Sequence, residues 1–202
     1  EQDTARTLTE YTAQTLPVHP AEHPADLHIT LHYLGEMADT STVAERLTQV
    51  ALAPFSLEFT GLNFFIRQDA HTNVIWQGVS DPEQGLFRLR DAVSEALGDI
   101  FFRKSPEFTP HITLSYTSVP FDGAALTAMT TPMTGKRWLV REFQLWQVLP
   151  GGQRPAFRKL AAYALSSDTV RRQARILCIN DFHGVLLENA ADLGAARLTT
   201  AV

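Results

Sequence analysis

Hydrophobic positions change period several times along this chain, and each change marks an element. Over residues 4–16, Leu8, Tyr11 and Thr15 recur at helical spacing before Pro17 and Pro20 stop the run, which predicts an amphipathic helix. Residues 41–52 place Val43, Leu47 and Val50 on one helical face, and Phe55, Leu57 and Phe59 then alternate as in a half-buried strand. Asp81 reads as an N-cap with Pro82 at the first helical position, an apolar stripe of Leu86, Leu89, Val93 and Leu97, and Gly98 as the stop. A short helix near 123–129 and strands near 137–149 and 156–165 follow, with Pro150-Gly151-Gly152 as the turn between the last two. Antiparallel hairpins rather than a regular βαβ alternation predict an α+β fold.

One tetrapeptide occurs twice, as His28-Ile29-Thr30-Leu31 and His111-Ile112-Thr113-Leu114, each in a stretch that reads as a short strand entered through proline. Side chains on a strand alternate faces, so His28 and Thr30 share one face while Leu27, Ile29, Leu31 and Tyr33 point to the other. By the same rule His111 and Thr113 share a face, with Ile112, Leu114 and Tyr116 behind. Each strand then shows an imidazole and a hydroxyl to a cleft and anchors itself with apolar side chains from the rear. A single His-x-Thr is weak evidence, because patterns this short recur by accident. Two copies, both with hydrophobic x residues and both on expected strands, point to phosphoester chemistry.

Hydrolysis of a cyclic phosphodiester needs a base for the attacking water and an acid for the leaving ribose oxygen on the far side of phosphorus. Two imidazoles suit both tasks near neutral pH. Threonine hydroxyls can donate to the non-bridging oxygens as charge gathers there. No metal is required by this scheme.

Leu27-His28-Ile29-Thr30-Leu31-His32-Tyr33-Leu34-Gly35-Glu36 and Phe108-Thr109-Pro110-His111-Ile112-Thr113-Leu114 resemble the paired signatures of the two-histidine (2H) phosphoesterases, specifically the RNA 2',3'-cyclic phosphodiesterases also called 2'-5' RNA ligases. Residues 55–62 and 74–79 resemble that family's middle segment, and Phe143-Gln144-Leu145 with Arg154-Pro155-Ala156-Phe157 its closing hairpin. The resemblance implies a two-lobed fold, antiparallel sheets flanking a central cleft with helices outside. It also implies His28 as proton donor, His111 as acceptor, Thr30 and Thr113 as phosphate holders, and no cofactor. Its expected product is a 2'-phosphate, with reversible 2'-5' ligation as a related activity. Many relatives carry an arginine shortly after the second motif, where this chain has Ser115-Tyr116. The family also begins with a strand before the first helix, for which this chain starts too late; either the strand is cut off, which leaves a sheet with an unpaired edge or a vacant position, or another element replaces it.

At 202 residues and 45% hydrophobic content the chain can bury a substantial core. A net charge of −5 argues against a broad electrostatic grip on long nucleic acid, and RNA ends or small cyclic nucleotides are the partners that the resemblance implies. Arg103-Lys104 is the best local basic candidate, and a solvated turn pair is its bland alternative. Cys178 alone permits no intrachain disulfide or zinc-finger spacing and reads as a small packed residue. No apolar stretch approaches the roughly 20 residues of a membrane span. A cytoplasmic monomer is the expectation, although a start at Glu1 rather than methionine leaves open a removed leader or a shortened chain. His32 falls on the cleft face by strand parity, in a rim role, while His19, His23 and His71 accompany loop signals and are expected to be exposed.

After Ser166-Ser167-Asp168 the character changes. Residues 175–184 read as a strand ending in Asp181-x-His183, a carboxylate and imidazole suited to a divalent metal. With Gly184 and Gly194-Ala195-Ala196-Arg197-Leu198, the stretch resembles the opening of a 5'-nucleotidase-type metallophosphoesterase, cut before its remaining ligands. The expected organisation is a phosphoesterase domain over 1–167 and a linker with an incomplete second domain over 168–202, where metal would bind only in a complete domain. A chance strand of the first domain is the alternative reading of that tail. A nucleotide- or RNA-end-binding module without turnover is the alternative for the protein, and a fragment of a bifunctional cyclic phosphodiesterase/5'-nucleotidase is another.

Overall fold

The computed structural model describes residues 2–36, 40–66, 72–98, 108–152 and 154–166. Asp181 and His183, with Cys178, His71 and Arg103-Lys104, lie outside the described residues. In chain order come α1 (Gln2–Thr15), a 3-10 turn (Pro24–Asp26), α2 (Ser41–Leu47), β1 (Phe55–Phe65), β2 (Asn73–Ser80), α3 (Gly85–Leu97), β3 (His111–Thr117), α4 (Gly123–Thr127), β4 (Arg137–Val140), β5 (Glu142–Val148) and β6 (Phe157–Ala164). The class is α+β, with every strand pair antiparallel.

The helices follow their periodicity and differ at their ends for local reasons. α2 stops at Leu47 because the next N–H groups bond back only three residues, Thr48 to Glu45 and Gln49 to Arg46, although Val50 stays buried. Asp81 does cap α3, its carboxylate accepting from the N–H groups of Gly85 and Leu86 at 2.9 Å. Pro82 is nevertheless outside the helix, since Gln84 turns left-handed with φ 53° and delays its start to Gly85. The single strand expected over 137–149 is two strands, β4 and β5, which belong to different sheets.

The larger sheet has the order β3-β2-β1-β4, and β5 pairs with β6 in a separate hairpin. Two bulges shape the larger sheet. In β1 the register slips between Phe59, opposite Val79, and Leu62, opposite Gln77. The fully buried Gln77 amide secures that slip, donating to the Thr60 carbonyl at 2.5 Å and accepting from the Thr131 hydroxyl at 2.7 Å. In β3, Thr113 faces Trp76 and Ser115 faces Ile75, so Leu114 is an extra residue. Alternation reverses there: Leu114 and Ser115 are both buried and Tyr116 is 45% exposed. Tyr116 therefore stands on the open face, not behind the strand as simple parity predicts.

Two apolar clusters hold these pieces. Leu8 of α1 and Leu126 of α4 cover Phe59, Leu62, Ile75, Ile112 and Leu114 on the larger sheet. The stripes of α2 and α3 pack on Phe55, Leu57, Val140, Phe143 and Leu145. Each fully buried leucine contributes roughly 1.5–3 kcal/mol. Ile29 touches both clusters, which seats the first motif between them.

Candidate active site

The second motif sits on β3 as its alternation requires. Ile112 and Leu114 are buried, while His111 and Thr113 are half-exposed on the other face. The His111 ring is walled by Phe65, edge-on at 5.0 Å between centroids, and by Trp76 at 5.7 Å. Its Nδ1–H donates to the Thr109 carbonyl at 2.7 Å. A carbonyl can only accept, so that bond fixes the proton on Nδ1 and leaves Nε2 free of it to face the cleft chemistry.

The first motif reaches an equivalent state by a different route. Residues 27–31 belong to neither sheet, which corrects the expected strand. Side chains hold the segment instead: Ile29, Leu31 and Leu34 pack on the core. His28 Nδ1–H donates to the carbonyl of Asp26, again two residues earlier, at 2.6 Å. Nε2 lies 3.1 Å from the hydroxyl of Thr30, which is exposed. Trp146 and Phe157 of the β5–β6 hairpin flank the ring at 5.6 and 4.9 Å.

Parity fails beyond Leu31, where the chain bends. Tyr33 is 62% exposed rather than packed. His32 turns away from the cleft onto α3, its Nε2 3.0 Å from the Arg90 carbonyl and 2.9 Å from the Ser94 hydroxyl, and burial pushes its pKa below the usual value. His19 is also not a loop residue facing water. It is buried, with Nδ1 2.8 Å from the Thr117 hydroxyl, because residues 19–22 lie along β3. The Glu22 N–H donates there to the carbonyl of Leu114, the bulge residue, at 2.8 Å. That contact brings the approach to the first motif beside the second.

His28 and Thr113 line one open cleft of about 80 Å³ together with Glu22, Asp26, Tyr116, Arg154 and Phe157. His111 is near enough for its charge to disfavour protonation of His28. Burial is the main influence lowering the His28 pKa, opposed by the bond to the Asp26 carbonyl and by the Asp26 charge. Arg154 grips the acidic side of the cleft, with Nη1 2.9 Å from Glu22 and 3.5 Å from Asp26. Burial raises the Glu22 pKa against the pull of that guanidinium. The Asp26 carboxylate also accepts the Ala156 N–H, at 2.8 and 2.9 Å to its two oxygens.

Sequence reasoning missed Glu22, Asp26, Arg154 and Tyr116 as cleft residues. Asp26 carried a usable signal, since a carboxylate two residues before His28 stays close to the motif in any local conformation. Arg154 did not, because only the pairing of β5 with β6 carries it across. Among the described residues no group of three or more His, Cys, Asp or Glu side chains is placed to hold a metal ion, and no helix is long and apolar enough to cross a membrane.

Comparison with known proteins adds a family to this geometry. A family model described as the 2'-5' RNA ligase superfamily matches residues 1–152. An RNA 2',3'-cyclic phosphodiesterase of Archaeoglobus fulgidus is 36% identical over 96 residues, 46% of this chain and 53% of its own. One of Geobacillus stearothermophilus is 32% identical over 161 residues, 76% of this chain and 50% of its own. The chain thus spans about half the length of the curated relatives it matches. Escherichia coli LigT complexed with 3'-AMP has a similar fold, with a TM-score of 0.64 and 24% identity over 82% of this chain and 92% of that one. A protein of Thermus thermophilus gives 0.60 and 22% over 83% and 94%.

Proposed function

We infer that this chain, which belongs to the 2'-5' RNA ligase superfamily, hydrolyses 2',3'-cyclic phosphate in RNA ends or small nucleotides to a 2'-phosphate. The observation that carries the reading is the matched orientation of two imidazoles, each with Nδ1–H held by the carbonyl two residues before it. In each, Nε2 is left for proton transfer. His111 Nε2 takes a proton from water as its oxygen bonds to phosphorus. The bond from phosphorus to the 3' oxygen breaks, and His28 Nε2–H protonates that oxygen, giving a 2'-phosphate and a 3'-hydroxyl. Thr30 and Thr113 donate to the non-bridging oxygens, where charge accumulates. The same displacement with a 5'-hydroxyl in place of water would form a 2'-5' linkage. The assignment of His28 as donor follows the family resemblance.

The partners proposed are RNA ends or cyclic mononucleotides, met by a cytoplasmic monomer without a cofactor. For 168–202 the reading stays the start of a metal-dependent phosphoesterase, resting on sequence: the expected strand ending in Asp181-x-His183, Gly184 and residues 194–198. Incubation with a short RNA bearing a 2',3'-cyclic end, followed by chromatography of the termini, tests the activity. Conversion to the 2'-phosphate is expected. An end that is bound and protected without conversion would establish a binding module instead.

A further inference from the structure

Around His28 stand Asp26 and Glu22 from the segment before it, Arg154 from the loop between β5 and β6, and His111 and Tyr116 from β3. Asp26 is distinctive among them because its two halves do different work. Its carbonyl receives the His28 Nδ1–H at 2.6 Å, and its carboxylate, with a side chain only 1% exposed, receives the Ala156 N–H and the Arg154 guanidinium. Ala156 is followed directly by Phe157, whose ring meets His28 edge-on at 4.9 Å. One residue therefore supports the imidazole from below and fixes the hairpin loop that walls it.

We propose that Asp26 is a positioning residue for the proton donor, and that it works as a pair with Arg154: the carboxylate favours the charged form of His28, and the guanidinium limits that effect. This rests on the reading of His28 as general acid. An acid flanked by Trp146 and Phe157 loses hydration, which favours the neutral ring. A nearby carboxylate offsets that loss, and burial makes its charge effective because little water screens it. Arg154 is half-exposed and pairs with both Asp26 and Glu22, so it partly neutralises the carboxylate beside His28.

The test uses two substitutions with opposite expected signs. Asp26→Asn keeps an acceptor for the Ala156 N–H but removes the charge, so the protonation midpoint of His28 falls. Arg154→Met uncovers the Asp26 carboxylate, so the midpoint rises. Histidine NMR titration, with the His28 signal assigned by its loss in His28→Ala, reads both without any need for turnover. The high-pH limb of kcat/KM with 2',3'-cyclic AMP should move in the same two directions. Damage to the fold alone would lower rates in both variants and shift neither midpoint in this opposed way. An unchanged midpoint in Asp26→Asn, or shifts of equal sign in the two variants, would overturn the proposal. Opposed midpoint shifts in a protein that hydrolyses nothing would support the pairing and sink the proposed activity instead.

Discussion

Replacing Asp26 with alanine tests how far the cleft depends on a buried carboxylate. The Ala156 N–H lies 2.8 and 2.9 Å from the two carboxylate oxygens and shares one hydrogen between them, so it counts as one charge-assisted bond. Loss of a hydrogen bond to a charged group costs about 1.5–3 kcal/mol, including the penalty of a buried N–H left without a partner. The Arg154 contact at 3.5 Å adds at most a few tenths of a kcal/mol, because the guanidinium is 51% exposed and keeps Glu22. Relief of repulsion between Asp26 and Glu22, which helps raise the Glu22 pKa, offsets part of the loss. The expected destabilisation is therefore about 2 kcal/mol, or a fall in Tm of about 4–8 °C for a chain of this size. Asp26→Asn retains an acceptor and should cost under about 1 kcal/mol by the same reasoning. Denaturant melts of both variants, with the wild type as reference, measure the difference. If alanine and asparagine cost the same, or alanine costs nothing, the carboxylate does not secure the hairpin loop.

Alanine at either His28 or His111 should reduce cyclic phosphodiester hydrolysis by about 10²–10⁴ fold, the usual contribution of a positioned proton-transfer group, and steady-state rates that stay near normal in either variant would refute the division of roles. Stability should decline as pH falls below the ordinary histidine value of 6.5, because the unfolded chain takes protons that native His28 and His32, with lowered pKa values, refuse. The decline ends once pH passes below the folded values, and His32→Gln should flatten it in urea melts recorded across pH. Glu22 acts with the opposite sign, since its raised pKa adds stability below 4.5 that is lost as pH climbs through the folded value; a Glu22→Gln background isolates the histidine slope. Calorimetry with manganese or zinc should find no tight binding, because Asp181 and His183 would supply only two ligands where a stable site generally needs four or more. Stoichiometric binding that disappears in Asp181→Ala would contradict this.

Local periodicity was readable from the chain wherever one face of an element is buried. The stripe of Leu86, Leu89, Val93 and Leu97 became α3, and Ile112 and Leu114 anchor β3. Where the outcome depends on distant partners, the one-dimensional pattern failed. Nothing in Leu27–Leu31 distinguishes a strand from a segment held by Ile29 and Leu31 in the core and by a carbonyl at the histidine. The bulge at Leu114 has no residue signature, since neither glycine nor proline marks it, yet it reverses the faces of Ser115 and Tyr116. His19 looked like a loop residue because Pro17 and Pro20 surround it, while its burial is decided by Thr117, far along the chain. Arg154 and Asp26 meet only after β5 pairs with β6. Motifs pointed to the proposed chemistry, and tertiary contacts supplied the electrostatics around it.

The central claim is that two oriented imidazoles open a cyclic phosphate without a metal. Phosphorus NMR of 2',3'-cyclic AMP incubated with the protein in EDTA and ¹⁸O-labelled water tests this directly. A single 2'-phosphate product carrying one ¹⁸O atom is expected, because water adds to phosphorus as the bond to the 3' oxygen breaks. No turnover, a 3'-phosphate product, or activity that returns only when a divalent metal is supplied would contradict it.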